Sequence, residues 1–380
     1  MQQVKYIGYF DFQDSAIPRN YVVSASNKIE YIVGALNQAG IDVELISVSA
    51  STEPNFKWHK AEIKERTPHF KVRFFATFGG SKKIIRSLRT VWHTIALLWY
   101  LLFHTHKGEK IIVYHSLGYF NLILWAKKLK RFQLILEVEE IYQDVMPYPN
   151  HIKRWEYETF EIADAFIFST GLLNEKLNKS NKPYVVIPGT YRVEPQLSKP
   201  HDDGMIHVIY AGTFDIHKGG AAAAIAATHL LPSNYHIHIC GFGTETDIKY
   251  IKDAIEKESQ ISSAKITYEG LLKGQEYIRV LQQCHIGLST QDPTASFNAT
   301  SFPSKILSYM ANGLRVVSVR IDAITQSCVG PYITYYTEQT PQKLAEAIQS
   351  VDMTSPYDGR EIISRLNIQF IQDITMLLKA

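Results

Sequence analysis

The sequence predicts an α/β protein built from two doubly wound, Rossmann-like domains in tandem. Short apolar strands alternate with helical stretches from residue 4 onward, as in a chain of β-α-β units. The alternation pauses at a polar, proline-containing stretch, residues 189–204, and then restarts. Most strands run into glycine or polar residues, as parallel strands do at a ligand-binding rim. At 380 residues, 46% apolar and 20% charged, the chain is long enough for two cores and too apolar for disorder.

Residues 4–10 form the first strand and lead into a polar loop, residues 11–20. Residues 21–38 place Ile29, Ile32, Val33 and Leu36 at helical spacing and stop at Ala39-Gly40, and residues 41–48 are the second strand. The first loop lacks a GxGxxG fingerprint, which argues against a dinucleotide site. Residues 70–76 read as a strand and residues 82–103 as a helix. Strands at 110–115 and 132–138 flank a helix at 122–129. Their ends bring His115 and the carboxylates Glu137, Glu139 and Glu140 to one rim. A helix at 155–162 and strands at 165–169 and 184–188 complete this half.

The second half repeats the scheme: strand 207–210, loop 211–218 and an alanine-rich helix 219–231. Strand 236–240 closes on Gly241-Phe242-Gly243 before helix 247–258. Residues 266–268 lead to Gly270-Leu271, helix 275–282 and strand 285–289. A last strand occupies 333–336, and residues 357–380 form a helix long enough to cross back to the first domain. The expected division is 1–195, 196–356 and 357–380, with a cleft between the two domains.

Residues 297–317, FNATSFPSKILSYMANGLRVV, read as loop, helix start, helix and buried strand. Ser301 and Ser304 are candidate N-caps, Pro303 suits the first turn, and Asn312-Gly313 ends the helix. A helix start carrying Lys305 is an anion site in prospect; the blander reading is an ordinary unit with a surface lysine. The other strand-end loops carry Gly212-Thr213, Lys218 and Gly241-Phe242-Gly243. Glycines admit a ligand close to the backbone, and Lys218 and Lys305 can bracket a diphosphate.

These motifs resemble the "group 1" family of retaining GT-B glycosyltransferases. YAGTFDIHKGG resembles its glycine loop with a following basic residue, and ICGFG its second glycine turn. ITYEGLLKGQEYIRVLQQCHIGLST resembles the run ahead of the donor site, and FPSKILSYMANGLRVVS the subset with a PxK helix before a GxPVV strand. In the first half, LEVEEIY stands at the place of the acceptor-side polar motif, and EIADAFIFST resembles the E-x-ADAxIxxS segment. The resemblance covers nearly the whole chain, weakly before about residue 110 and well after 205. Where the family often places two glutamates eight positions apart, this sequence has Thr300 and Ser308, and Thr213 stands where many members have arginine.

The resemblance implies transfer of a hexose from a nucleoside diphosphate sugar, a UDP-sugar over a GDP-sugar, to a glycan, lipid-linked or protein acceptor. Implied donor contacts are Gly212, Thr213, Lys218, Gly241, Phe242, Gly243, Leu271, Thr300, Ser301, Phe302, Pro303, Ser304, Lys305 and Ser308. Lys218 and Lys305 would stabilise the leaving diphosphate, and Glu139, Glu140 and His115 are candidate bases. No DxD motif occurs outside the linker pair Asp202-Asp203, so neither a metal nor another cofactor is expected. Two competing readings share the fold. One is a catalytically silent subunit that stabilises an active partner, kept open by Thr300 and Ser308. The other is a sugar-nucleotide 2-epimerase, whose loop carboxylates and histidines have no comparable pattern here.

Charge is unevenly placed. Residues 1–195 carry a net +6 and the remainder −3, with +9 inside residues 57–110. That region mixes Lys82, Lys83, Arg86 and Arg89 with Leu, Ile and Trp, which suits an anionic inner-membrane surface. A core helix covering the sheet is the alternative. Nucleic acid is a poor fit, since stacking aromatics are not interleaved on strands. The longest apolar run, residues 95–103, is short of the ~20 needed to span a bilayer. Three separated cysteines and no apolar leader suggest a reduced, cytoplasmic setting, free or as a homo- or hetero-oligomer. His236 and His238 alternate in a strand and are expected to face solvent or a neighbour rather than a metal.

Overall fold

The computed structural model describes residues 3–146, 148–214, 220–293 and 300–379. Contacts divide the chain into two units, Met1–Ile187 with Gln369–Ala380, and Pro188–Ile368.

The first unit begins with β1 (Gln3–Gly8), α1 (Val23–Gln38) and β2 (Asp42–Ser47). Four short strands follow: β3 (Trp58–His59), β4 (Glu62–Thr67), β5 (Phe70–Phe74) and β6 (Thr77–Phe78). Then come α2 (Lys83–His104), β7 (Lys110–Tyr114), α3 (Phe120–Lys130), β8 (Gln133–Val138), α4 (Tyr142–Val145), α5 (Asn150–Ile162), β9 (Ala165–Phe168), α6 (Gly171–Leu177) and β10 (Tyr184–Val186). The main sheet has the order β10-β9-β8-β7-β1-β2-β5-β4 and is parallel except for β4. Strand order therefore reverses between β1 and β7, the point at which such sheets leave a crevice at their carboxyl ends. The central strands read as continuous apolar runs because helices cover both faces. Sequence reading missed β4 because EIKERT is polar, as an edge strand can be, and its one aliphatic residue, Ile63, is exposed.

Helix α2 covers the sheet with one face and leaves the other bare. His93, Leu97, Tyr100 and Leu101 face the core, but Ile84, Leu88, Val91, Ile95, Trp99 and Phe103 are exposed. Their spacing of three or four places them in one stripe along the helix. Among the described residues no helix is long and apolar enough to cross a membrane.

The second unit contains β11 (Ile206–Thr213), α7 (Gly220–Ala226), β12 (Tyr235–Phe242), α8 (Glu245–Ile261), β13 (Lys265–Gly270), α9 (Gly274–Gln283) and β14 (Ile286–Ser289). It continues through α10 (Lys305–Ala311), β15 (Arg315–Val319), α11 (Asp322–Thr325), β16 (Ile333–Tyr336) and α12 (Pro341–Gln349). Its sheet is wholly parallel, in the order β13-β12-β11-β14-β15-β16, so the reversal lies between β11 and β14. Thr244 and Asp247 cap α8 reciprocally. Helix α12 was not anticipated, although Thr340 caps it, Pro341 opens it and Leu344, Ala345 and Ile348 form its buried stripe. The last helix, α13 (Gly359–Lys379), starts in this unit, where Arg360 donates to the Glu194 carbonyl (2.7 Å). Its end belongs to the first unit, where Phe370 stacks on Tyr31 and Lys110 donates to the Leu378 carbonyl.

Candidate functional site

Three strand ends stand side by side at the carboxyl edge of the second sheet. Gly212 pairs with Gly241, Thr213 with Phe242, and Cys240 with Gly270. Only glycine fits at position 241: its φ is +156°, and a Cβ there would sit 1.8 Å from the Gly212 carbonyl oxygen. The Phe214 N–H donates to the Phe242 carbonyl (2.6 Å), and a Cβ on Gly243 would meet Phe214 and Asp247 at 2.8 Å. The turns are thus packed backbone to backbone, and Thr213, Phe242 and Leu271 project from them into solvent.

Helix α10 reaches this edge through Tyr309. Its ring is fully buried and occupies the space that a side chain at Gly287 would need, 2.4 Å from that position's Cβ. Its hydroxyl accepts from the Ala211 N–H (2.9 Å) and lies 3.2 Å from the Leu288 carbonyl oxygen. One side chain therefore fastens α10 to both strands that flank the reversal. One turn earlier, Lys305 carries its ammonium 4.3 Å over the Tyr210 ring, at the place a Gly212 side chain would fill (2.8 Å). A cation and a bare stretch of backbone are thereby held together at the switch point.

The helix start differs from expectation. Neither Ser301 nor Ser304 caps α10. Ser304 precedes the helix in αR geometry without a side-chain cap, and Pro303 lies one residue further out. Backbone turns take their place, with Ile306 donating to the Pro303 carbonyl and Leu307 to that of Ser304. With seven residues, α10 brings a weak macrodipole, so Lys305 is the main positive charge that it delivers. Thr300 is buried; Ser301, Phe302 and Pro303 are half-buried, and Ser304 is exposed. Ser308 hydrogen-bonds Tyr277 of α9, whose hydroxyl is pushed up to about 12 by burial. Lys218 lies outside the described residues.

At the carboxyl edge of the first sheet the three candidate bases have different surroundings. Glu139 is ion-paired with buried Lys28, which also donates to the Ile187 carbonyl (2.7 Å). Glu140 is half-buried beside it. Glu137 is wholly buried and accepts from the Tyr6 hydroxyl; burial pushes its carboxyl up to about 8, the neighbouring Lys28 charge opposing this and Glu139 adding to it. His115 does not stand on the rim. Its N–H extends the ladder to the Glu137 carbonyl (2.8 Å), which turns the ring inward among Phe120, Tyr142 and Phe160. It is 1% exposed, its Nε2 lies 3.3 Å from buried Glu156, and burial lowers its pKa.

Sequence reasoning also missed a cavity of about 270 Å³ at this edge. Tyr9 follows β1 into it, Ala50 and Thr52 follow β2, and Gly118 follows β7, with Arg86 and Arg89 of α2 opposite. The arginines were visible only as part of a basic helix. Their place over the β1–β7 reversal comes from Leu97 packing into the core.

No protein-family model matches the sequence, and no curated protein matches it either. Solved structures do match the fold. Sucrose-phosphate synthase from Thermosynechococcus elongatus is 16% identical over 100% of both chains, with a TM-score of 0.69. Anabaena Alr3699/HepE, solved with UDP and glucose, is 12% identical over 100% of both chains (TM-score 0.63). A UDP-forming α,α-trehalose-phosphate synthase from Burkholderia xenovorans is 11% identical over 100% of both chains (TM-score 0.61). At such identities the likeness speaks for the fold, which is GT-B, with two Rossmann-like units.

Proposed function

We propose that the protein is a glycosyltransferase that moves a hexose from a nucleoside diphosphate sugar, by preference a UDP-sugar, to the hydroxyl of a glycan, lipid-linked or protein acceptor. The observation that carries this is the Lys305 ammonium held over Gly212, where the second sheet reverses its strand order. That is the place for a diphosphate in an open parallel sheet. Sugar-nucleotide chemistry in the matched structures, three of which are named for UDP, glucose or sugar phosphates, agrees with it. The donor half is residues 196–356, the acceptor half residues 1–195, and residues 357–380 return to the latter.

Breaking the glycosidic bond places new negative charge on the leaving diphosphate. A cation fixed beforehand at that spot lowers the barrier without reorganising during the reaction. Lys305 fills that role, and the resemblance adds Lys218 of the glycine loop to it. Gly212, Gly241 and Gly243 let the phosphates approach the backbone, and Phe242 and Leu271 border the nucleoside. As the resemblance implies, the reaction retains anomeric configuration, with the leaving phosphate taking the acceptor's proton. If a side chain takes it instead, Glu139 and Glu140 are the candidates, with buried His115 behind them. Ser308, at one of the two motif positions, is engaged with Tyr277, which also favours a second reading, a silent subunit that binds nucleotide without turnover.

A thermal-shift panel of nucleoside diphosphates and their sugars tests the main reading. UDP and a UDP-sugar at 100 times Kd are expected to stabilise the native state by about 2.7 kcal/mol. No shift with any nucleotide sinks both readings, while binding without transfer across acceptors selects the silent subunit.

The same reading places the first unit on the inner face of the membrane. The exposed stripe of α2 begins beside Lys82, Lys83 and Arg86 and borders an apolar groove of about 550 Å³ lined by Trp92, Ile95 and Trp99. An acyl or prenyl chain fits such a groove, and the cations suit anionic headgroups. Co-sedimentation with anionic vesicles is expected, weakened by salt and roughly tenfold by Trp99→Glu. Equal partitioning to neutral and anionic lipid, insensitive to salt, rejects the membrane contact.

A further inference from the structure

At the amino end of the second sheet, opposite the glycine turns, three histidines meet. His207 is the second residue of β11; His236 and His238 are the second and fourth of β12, and His207 pairs in register with His236. All three are buried, at 3%, 7% and 7% exposed, so of the two surroundings expected for His236 and His238, solvent or a neighbour, the structure gives the neighbour. One ring nitrogen from each lies within 4.8 Å of the others.

The outer nitrogens define the tautomers. His207 Nε2 is 3.2 Å from both oxygens of Asp203, and His238 Nδ1 is 2.8 Å from Glu269 Oε1. His236 Nε2 is 2.9 Å from the Thr267 hydroxyl, which spends its own proton on Glu269 (2.6 Å) and so can only accept from the ring. Each outer nitrogen is therefore an N–H donor, and each remaining nitrogen presents a lone pair. Two of these, His207 Nδ1 and His238 Nε2, face each other at 2.8 Å away from solvent. Opposed lone pairs at that distance repel unless a cation lies between them.

We propose that His207, His236 and His238 bind a divalent transition-metal ion of the zinc type, with Asp203, Glu269 and Thr267 orienting the rings. Neutral imidazoles backed by carboxylates are what such an ion requires, and softer or harder ions are served less well by three nitrogens. Tetrahedral coordination sets neighbouring nitrogens about 3.3 Å apart, so His207 and His238 need to part by about half an ångström. The fourth position falls to water. His207 lies five residues before Gly212 on the same strand, about 16 Å away, so the ion pins β11 to β12 and does not touch the sugar donor.

Metal-stripped full-length protein titrated with Zn²⁺ against a chromogenic chelator tests this. One ion per chain is expected, with a rise in Tm in the absence of nucleotide. Cobalt(II) should give visible bands without thiolate charge transfer, which separates this site from the exposed Cys328 thiol. His238→Gln is expected to lower affinity at least 100-fold. Asp203→Asn, at a half-exposed carboxylate that the fold can spare, should lower it about 10- to 100-fold. Absence of binding by Zn²⁺ and Co²⁺, which leaves only a shared proton between the rings, overturns the proposal. So does stoichiometric binding whose affinity neither variant changes.

Discussion

Replacing Lys305 with alanine is expected to lower glycosyl transfer about 10²- to 10³-fold, the range for removing one preorganised charge-stabilising donor. The side chain is half-buried and its ammonium rests on the Tyr210 ring, a contact worth about 0.5–2 kcal/mol. The anchor of the helix is Tyr309, one turn on, which the substitution leaves in place. Cooperative melting should therefore persist while turnover falls. Because the charge on the diphosphate grows toward the transition state, kcat and kcat/KM should fall together, and affinity for free UDP should fall less. Transfer and UDP binding that both survive the substitution would remove Lys305, and with it the site, from consideration. Lys305→Arg keeps the charge but not its compact shape, and partial activity there would show that charge is the essential property.

The second large effect concerns the backbone under that lysine. Gly241→Ala is expected to destabilise the second unit by about 4 kcal/mol or more, at the upper end for single substitutions. The new methyl would lie 1.8 Å from the Gly212 carbonyl oxygen and 2.9 Å from the Phe214 ring. Neither is the free end of a flexible side chain, so β11 and β12 must separate at their carboxyl ends. Urea melts should show the loss directly. Gly34→Ala in α1 is the control: its Cβ meets nothing within 4 Å, and alanine in a helix is expected to stabilise by up to ~1 kcal/mol. Equal melting midpoints for G241A and the native chain would show that the two glycine turns are not packed as described.

The candidate site was legible to the degree that its chemistry is local. Gly212, Gly241 and Gly243 announced themselves as turn glycines after apolar strands, and Lys305 as the cation of a PxK helix start. Cap geometry was misread, because a serine before a helix is a frequent cap but the turn here closes on the Pro303 and Ser304 carbonyls. His115 was misplaced for a related reason. A polar residue at a strand end reads as rim, and only the extension of the ladder to Glu137 shows that its ring turns into the core.

By itself the sequence determined the α/β class, the two doubly wound units and the location of most strands and helices. Periods of 2 and 3.6 in apolar residues are local signals, and so are glycine turns. Tertiary structure alone decided which side of α2 is bare, that Lys305 lies on Gly212, that Arg86 and Arg89 overlook a cavity, and that three histidines share a space. Each of those facts depends on which distant strands become neighbours and in what register. Side-chain periodicity says that a residue faces the sheet's surface, but it does not say what will stand opposite.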